Sequence, residues 1–256
     1  MNLGDLLRRG LAAGAAAGCA AAVMVWLVVE PVLRQALKVE DARGAAETKA
    51  ILDAGGHVHS EDPLVSRTLQ VIGGMGTALI IGLLFGLVFA VVFAAARHRL
   101  PGATDFGRSL ALAALGFGTF ALAPMLTIPA NPPAVGDPGS VGQRELIFLL
   151  TIIISVALVI AAFSFDKFLS EKNLSAPARI SIVAVSFVVV TAAALVAIPD
   201  SPDSIASDMG AQIVWDFRIA SIGLRAVLFA VMGLVFGLLV SRKAAAVEPA
   251  QETVAA

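Results

Sequence analysis

The stretch VIGGMGTALIIGLLFGLVFAVVFAAA, Val71–Ala96, decides the fold, because it carries no charged residue between Arg67 and Arg97. A helix needs about 20 mostly apolar residues to cross the hydrocarbon core of a bilayer, and this stretch is long enough. Lipid offers no hydrogen bonds to the backbone, so the chain must satisfy its N–H and C=O groups internally. The stretch therefore predicts a transmembrane helix.

The composition of the whole chain agrees with a membrane protein. Hydrophobic residues make up 58% of its 256 residues, charged residues make up 14%, and the mean hydropathy is +0.89. These values lie far outside the range of soluble domains. The single cysteine, Cys19, cannot form an intramolecular disulfide. We therefore expect an all-α fold, a polytopic bundle of membrane helices.

Windows of this kind occur six times, which predicts six transmembrane helices in one transmembrane domain, residues 1–243. The predicted spans cover about 11–29, 71–96, 110–128, 146–165, 180–198 and 219–240. A polar loop, residues 31–66, follows the first span, and a polar tail, residues 244–256, follows the last. We expect the tail to be disordered, because it has little apolar surface to bury.

Basic residues collect at alternate ends of the predicted helices. They are Arg8, Arg9, Arg97, Arg99, Arg108, Lys167, Lys172, Arg179, Arg242 and Lys243. Short loops rich in Lys and Arg stay in the cytoplasm. Both termini are therefore predicted to be cytoplasmic, and the loop 31–66 to lie on the outer side.

Glycines four residues apart recur inside the predicted helices, at Gly14 and Gly18, Gly82 and Gly86, and Gly233 and Gly237. Small residues at this spacing let helix backbones approach closely. They predict packing seams within the bundle, and glycine-rich faces of this kind also suit contact between copies of the chain in a homo-oligomer.

Motifs of soluble enzymes are absent from the sequence, including a phosphate loop, HExxH and GxSxG. We therefore expect no enzyme activity, no permanently bound cofactor and no nucleic-acid partner. The lipid bilayer is the one partner that composition alone predicts.

The polar stretch GGHVHSEDP, Gly55–Pro63, lies in the predicted outer loop. In an extended segment His57 and His59 project to the same side, and Glu61 and Asp62 follow them closely. Imidazole and carboxylate groups together suit a divalent metal ion. Two interpretations stand at this point, a partial metal site or an ordinary hydrated loop.

Other polar groups near the predicted outer ends of the helices suggest a deeper ion pathway. Glu30, at the predicted end of the first helix, either receives an ion or marks the membrane interface. Asn131 and Asp137 lie in a loop stiffened by prolines, which either contacts an ion or is only structural. Pro124 predicts a break in the third helix, since proline cannot donate a backbone hydrogen bond.

Arg225 is the one charged residue in the sixth predicted span. It lies in the part of that span nearer the predicted outer end. A charge in a bilayer costs about 2.5 to 3.5 kcal/mol on insertion scales unless something offsets it. We expect Arg225 to be a structural or gating counter-charge, paired with Glu145 or, by preference, Glu30.

Three stretches have a more specific pattern than apolar spans in general: VVEPVLRQAL, the His-bearing loop that leads through EDPLVSRTLQVIGGMGTALIIGLLFGLVFA, and FALAPMLTIPANPPAVGDPGSVGQRE. Together they resemble the CbtA family of probable cobalt transporter subunits. The resemblance covers about residues 11–240, and its most specific part is PANPPAVGDP, Pro129–Pro138.

This resemblance implies uptake of Co2+ across the bacterial cytoplasmic membrane, linked to cobalamin synthesis. It also implies a CbtB-like small single-span membrane subunit as partner. Many relatives carry a longer histidine tract in the first loop, where this chain has only His57 and His59. Many also have a His-Pro pair where this chain reads Ile198, Pro199 and Asp200, so that role is unfilled or has passed to Asp200.

Two other classes of function remain open at this point. The chain could be a membrane scaffold subunit that transports nothing, or a permease for Ni2+ or another small solute. Imidazole sites generally bind nickel more tightly than cobalt, so the histidines do not select the metal.

Overall fold

The computed structural model describes residues 2–57, 65–172 and 174–252, and all the regular elements in this part of the chain are helical. The α-helices are α1 (Leu3–Met24), α2 (Glu30–Asp53), α3 (Arg67–Ala96), α4 (Asp105–Phe117), α5 (Ala123–Thr127), α6 (Val141–Ser170), α7 (Ala176–Ala197) and α8 (Ala211–Glu252). Two π-helical segments, Val25–Val29 and Gly118–Leu122, and one 3-10 turn, Pro138–Ser140, complete them.

Six helical stretches among the described residues are long and apolar enough to cross a membrane, which confirms the predicted all-α polytopic fold. They are Leu3–Asp53, Arg67–Ala96, Asp105–Thr127, Pro138–Ser170, Ala176–Ala197 and Ala211–Ser241. The cytoplasmic placement of both termini stays a prediction.

The first helix continues beyond its predicted end near Val29. α1, the π-helical segment and α2 form one helical stretch to Asp53, so much of the predicted loop is helix. Pro31 lacks an N–H group, and its ring crowds the carbonyl four residues earlier. The wider π turn just before it, in which Glu30 N–H donates to Val25 O, lets the helix pass the proline.

The third span accommodates its proline in the same way. Pro124 follows the π-helical segment Gly118–Leu122, in which Ala123 N–H donates to the carbonyl of Gly118. The chain stays helical to Thr127, so the predicted break at Pro124 is a widened turn. In both spans the π segment ends two residues before the proline. The wider turn relieves the steric conflict between the proline ring and the carbonyl of the preceding turn.

The last helix is longer than predicted at both ends. α8 begins at Ala211 and ends at Glu252, so residues 244–252 of the predicted disordered tail are helical, while 253–256 lie outside the described residues. Arg225 lies fourteen residues after Ala211 and sixteen before Ser241. At 1.5 Å per residue these separations are about 21 and 24 Å. Arg225 is therefore near the midpoint of its span.

The chain divides into two compact units. The first unit comprises Met1–Ala113, Ala130–Gly136 and Ser204–Ala256, and the second comprises Ala114–Pro129 and Asp137–Asp203. The first unit thus contains α1, α2, α3, the start of α4, and α8. The second contains the end of the third span, α6 and α7.

The first unit is built on the glycine seam between α1 and α3. A side chain added at Gly82 would place its Cβ 2.6 Å from Gly18 Cα, and one at Gly14 would meet the carbonyl of Gly82. Gly86 meets the backbone of Gly10 and Gly14 in the same way. Two of the predicted glycine pairs therefore face each other, and the backbones lie in direct contact.

The third glycine pair lets α8 approach α4 in the same unit. A Cβ at Gly233 would lie 2.5 Å from Ala113 Cβ, and the Ser109 hydroxyl donates to Gly233 O at 2.7 Å. Phe236 then packs edge to face on Phe89 and Phe93 of α3, with ring centroids 5.2 and 5.1 Å apart. These contacts join α8 to the rest of the unit.

The second unit buries few side chains. α5 packs on α6, where the hydroxyls of Thr127 and Thr151 lie 2.9 Å apart and the Thr151 hydroxyl donates to Ile147 O at 2.8 Å. α7 has no buried residue. Its apolar side chains are therefore available to lipid or to another subunit.

Candidate functional site

Glu30 is the buried carboxylate at the junction of α1 and α2 in the first unit, with 5% of its surface exposed. Its Oε1 accepts hydrogen bonds from Arg34 Nε at 2.7 Å and from Arg67 Nε at 3.1 Å, and its Oε2 accepts from Arg67 Nη2. Arg67 also donates to Gln70 Oε1 at 2.8 Å. Both carboxylate oxygens of Glu30 are therefore occupied by guanidinium groups.

The predicted pairing of Arg225 with Glu30 is wrong in this structure. Glu30 pairs with Arg34 and Arg67, and in the described part of the chain Arg225 forms no hydrogen bond or ion pair. Arg34 is four residues from Glu30, a spacing that is visible in the sequence and brings the two side chains together on a helix. Arg67 comes from α3 and is brought to Glu30 only by the tertiary fold.

The segment Ala130–Gly136, which we call the proline loop, belongs to the first unit. Val135 packs in an apolar cluster with Met209 and Val214. Asn131, predicted to belong to the ion pathway, accepts a hydrogen bond on its Oδ1 from Arg218 Nη2 at 2.9 Å. The loop is thus fixed against α8 by both apolar and polar contacts.

Arg43 of α2 clamps this loop. Its Nη2 and Nε donate to the two carboxylate oxygens of Asp208 at 2.7 and 2.9 Å, and its Nη1 donates to Ala134 O at 3.1 Å. Ala134 has a φ of 64°, an uncommon left-handed conformation for a residue with a side chain. The hydrogen bonds and then the charge of Arg43 hold the pKa of Asp208 below its usual range. This three-way contact was not predicted.

The carboxylates of the second unit differ in exposure. Asp137 is exposed, and its Oδ1 caps the 3-10 turn by accepting from Gly139 N–H at 2.8 Å. Asp200 is also exposed. The side chain of Asp203 is only 3% exposed and lies 3.5 Å from Arg144 Nη1. Asp203 is therefore the buried acidic group of this unit, and the sequence reasoning did not select it.

The predicted histidine site is described only in part. His57 is exposed, four residues beyond the end of α2 at Asp53. His59, Glu61 and Asp62 lie outside the described residues. Among residues 2–57, 65–172 and 174–252, no three His, Cys, Asp or Glu side chains are grouped as metal ligands. The histidine site therefore stays a prediction.

Among the described residues, arginine side chains pair with three acidic side chains that are buried or held in place. Within the first unit this holds for Glu30 and Asp208, and within the second for Asp203. A divalent cation would have to displace a guanidinium to reach the buried carboxylates of Glu30 and Asp203. Their charges therefore hold helices and loops in place, whereas Asp137 and Asp200 are more open to an ion.

Comparison with known proteins identifies one family. Residues 3–241 match CbtA, described as "Probable cobalt transporter subunit (CbtA)". Comparison with curated proteins and with solved structures gives no match. The family match includes all six candidate spans and the proline loop. The chain is a multi-pass membrane protein that belongs to the CbtA family of probable cobalt transporter subunits.

Proposed function

We propose that this chain is the polytopic subunit that moves Co2+ inward across the bacterial cytoplasmic membrane to supply cobalamin synthesis. Membership of the CbtA family over residues 3–241 carries the proposal. The inside-negative membrane potential would favour entry by about 2.3 kcal/mol per charge per 100 mV, so by about 4.6 kcal/mol for a doubly charged ion. No ATP-binding motif is present in the sequence to supply another source of energy.

Capture of the ion is assigned to His57 and His59, with Glu61 and Asp62 as oxygen ligands. The exposure of His57 supports this assignment, because an exposed imidazole can bind an ion without first losing another contact. α2 is 24 residues long, so it spans about 36 Å and carries His57 well away from the end of α1. A partial site of two imidazoles would gather ions weakly and release them readily.

The next steps are assigned to the more open carboxylates. Asp137 and Asp200 are exposed in the second unit and would guide the ion. Glu30 and Asn131 act by positioning, since Glu30 holds Arg67 and Asn131 holds Arg218. We assign these different roles because Glu30 and Asn131 already accept hydrogen bonds from arginine side chains.

The partner is proposed to be a CbtB-like small subunit with a single membrane-spanning helix. The family description names the chain a subunit, which implies at least one other component. α7, whose residues are all at least partly exposed, offers an apolar helix surface for such contact or for a second copy of the chain.

Cobalt uptake into cells tests this proposal. Cells would express the chain with and without the single-span partner, and the His57→Ala/His59→Ala variant would be compared with His98→Ala. His98 is an exposed histidine outside the proposed site, so it is the matched control. We expect uptake to require the chain, to fall several-fold in the double variant, and to be unchanged in H98A. Uptake that ignores both loop histidines would contradict the capture site.

A scaffold subunit without transport is the second candidate, and one observation favours it. The buried carboxylates of Glu30 and Asp203 are already bound by arginine, so they offer an ion no open path. In that case no combination of subunits would take up cobalt, while removal of the chain would lower the amount of its partner in the membrane. Competition by Ni2+ in the uptake assay would separate cobalt transport from a broader metal permease.

A further inference from the structure

The first unit gathers positive charge at the end where α1 begins, and the proposed cobalt pathway makes no use of it. Gly10 of α1 packs on Gly86 of α3 and Gly18 packs on Leu79, so the two helices are antiparallel. The start of α1 therefore lies beside the end of α3. Residues 2–10 and 97–108 carry five arginines and two aspartates, an excess of three positive charges. They are Arg8, Arg9, Arg97, Arg99 and Arg108, with Asp5 and Asp105.

Two of these arginines, Arg97 and Arg108, are held together by one carboxylate, and we call them the arginine pair. Arg97 Nη2 donates to Asp105 Oδ2 at 2.8 Å, and Arg108 Nη1 donates to Asp105 Oδ1 at 3.0 Å. Two guanidinium groups thus share one negative charge. Each uses one terminal nitrogen for Asp105, and its other terminal nitrogen has no hydrogen-bond partner in the described part of the chain. The two side chains are 27% and 28% exposed, so a ligand can reach them.

The arginine pair lies at the boundary between two membrane spans. One span ends at Ala96 and the next begins at Asp105, so a short connection joins them. Leu100 in this connection is 6% exposed, and a Cβ at Gly102 would lie 2.8 Å from Arg108 N. The connection therefore folds back on the start of α4 and holds both guanidinium groups where the apolar spans end. Phospholipid headgroups lie at that level of a bilayer.

Arg9 is held close to the same end of α4. A Cβ at Gly237 of α8 would lie 3.3 Å from Phe106 Cα, so α8 packs on the residue that follows Asp105. Two residues later along α8, the carbonyl of Leu239 accepts a hydrogen bond from Arg9 Nη1. α1, α3, α4 and α8 therefore all contribute to this basic end of the first unit.

The headgroup of an anionic phospholipid suits this end by charge and by geometry. Its phosphodiester carries one negative charge, and the guanidinium fork matches the oxygens of a phosphate. Basic groups between membrane helices bind such headgroups. Phosphatidylcholine is a poorer fit, because its headgroup carries a cation of its own beside the phosphate.

We propose that the arginine pair, with Arg9 close to it, binds the phosphate of an anionic phospholipid such as phosphatidylglycerol. The phosphate accepts hydrogen bonds from the terminal nitrogens that Asp105 leaves free, and it balances the charge that the single carboxylate leaves over. The bound lipid stabilises the first unit, because it contacts side chains at the end of α3 and in the first turn of α4. This site is independent of the ion that the protein transports.

The test is the thermal stability of the purified full chain in neutral detergent micelles, titrated with phosphatidylglycerol or with phosphatidylcholine. Phosphatidylglycerol is expected to raise the melting temperature in a saturable way, and phosphatidylcholine is not. Arg108→Gln should raise the half-saturating fraction of phosphatidylglycerol about fivefold, as expected for the loss of one arginine near an anionic lipid surface. Arg97→Gln should shift it in the same direction, and Arg97→Lys, which keeps the charge, should shift it less.

Lys38→Gln is the matched control, because it removes one exposed positive charge from α2, away from this end, and should leave the lipid response unchanged. Equal responses to the two lipids in the natural chain would overturn the proposal, and that comparison needs no variant to fold. An unchanged half-saturating fraction in both R97Q and R108Q would overturn it as well.

Two further outcomes separate a lipid from other anions. If soluble glycerol phosphate stabilised the natural chain as well as phosphatidylglycerol does, the ligand would be a free phosphate and the proposal would be wrong. A response to phosphatidylglycerol that appears only in Glu171→Gln would mean that a carboxylate of the chain already occupies the arginine pair. That result would also overturn the proposal.

Discussion

Glu30 and Arg67 connect the junction of α1 and α2 to the start of α3 through hydrogen bonds to both carboxylate oxygens. The carboxylate is almost fully buried, and the Arg67 side chain is 31% exposed. Glu30 directly follows the π-helical segment that accommodates Pro31, so the ion pair fixes the helix where its backbone is least regular.

Replacing Arg67 with Gln should destabilise the protein by on the order of 2 kcal/mol, because it leaves a buried carboxylate with one partner fewer. The measurement is the unfolding midpoint in detergent micelles. Arg34→Gln is the matched control, since the Arg34 side chain is 63% exposed and a pair of residues four apart on a helix contributes about 0.2 to 0.5 kcal/mol. The double variant Glu30→Gln/Arg67→Gln should recover part of the loss. Equal losses in R34Q and R67Q would contradict this account.

The glycine seam predicts opposite effects for two glycine replacements in α3. Gly82→Ala should cost about 1 to 3 kcal/mol, because the new methyl group would lie 2.6 Å from Gly18 Cα and force the helices apart. Gly76→Ala, with open space around its Cα, should be neutral or gain up to about 1 kcal/mol from helix propensity. The measurement is the unfolding curve of each variant. A G82A protein as stable as the natural chain would show that α1 and α3 can separate freely.

The clamp between Arg43 and Asp208 should open in acid. Arg43 lowers the pKa of Asp208, so the ion pair contributes above the ordinary aspartate pKa of about 3.9 and is lost as the pH falls through the lowered value. A spin label at the exposed position Ala46 on α2 would report this as increased mobility in strong acid.

Asp208→Asn should give the mobile label already at neutral pH, because it removes the charge that Arg43 binds. Asp53→Asn, at the exposed end of α2, is the control and should leave the label immobile. A label that stays equally immobile in D208N would mean that the apolar cluster around Val135 holds α2 without the ion pair.

Two threonines of the second unit should respond differently to replacement by valine. Thr151→Val should cost about 1 kcal/mol, since the hydroxyl bonds both Thr127 and the carbonyl of Ile147. Thr191→Val should be neutral or stabilising, because the buried Thr191 hydroxyl has no partner among the described residues. Thermal unfolding of each variant provides the comparison, and a T191V protein as unstable as T151V would reveal a partner for that hydroxyl.

The sequence predicted the spans well for a physical reason. A membrane helix tolerates very few charged residues, and windows almost free of charge are visible without knowledge of any contact. The ends of the helices were less predictable. Glu30 and Pro31 mark the end of the apolar run, but the helix continues to Asp53. A proline normally disrupts a helix, because it lacks an N–H group and its ring crowds the preceding turn. The wider π turn just before Pro31 accommodates the ring, so the helix continues past it.

The candidate site depended more on the tertiary structure. Spacing alone indicates the Glu30–Arg34 pair and the proximity of His57 to His59, since both are local. The contacts of Glu30 with Arg67, of Arg43 with Asp208 and of Asn131 with Arg218 join residues far apart in the sequence. The apolar run alone places Arg225 near the outer end of its span and so favours a Glu30–Arg225 pair, whereas α8 begins earlier, at Ala211.

The sequence by itself determined the membrane class, the six apolar spans, the glycines that allow close packing and the resemblance to a cobalt transporter family, because each depends on composition or local pattern. Only the tertiary structure decided which glycines face each other and which arginine each carboxylate binds. A hydrogen bond forms only when its donor and acceptor atoms come within about 3 Å of each other. Partner choice is therefore set by how the helices pack, and here it pairs Glu30 with Arg67.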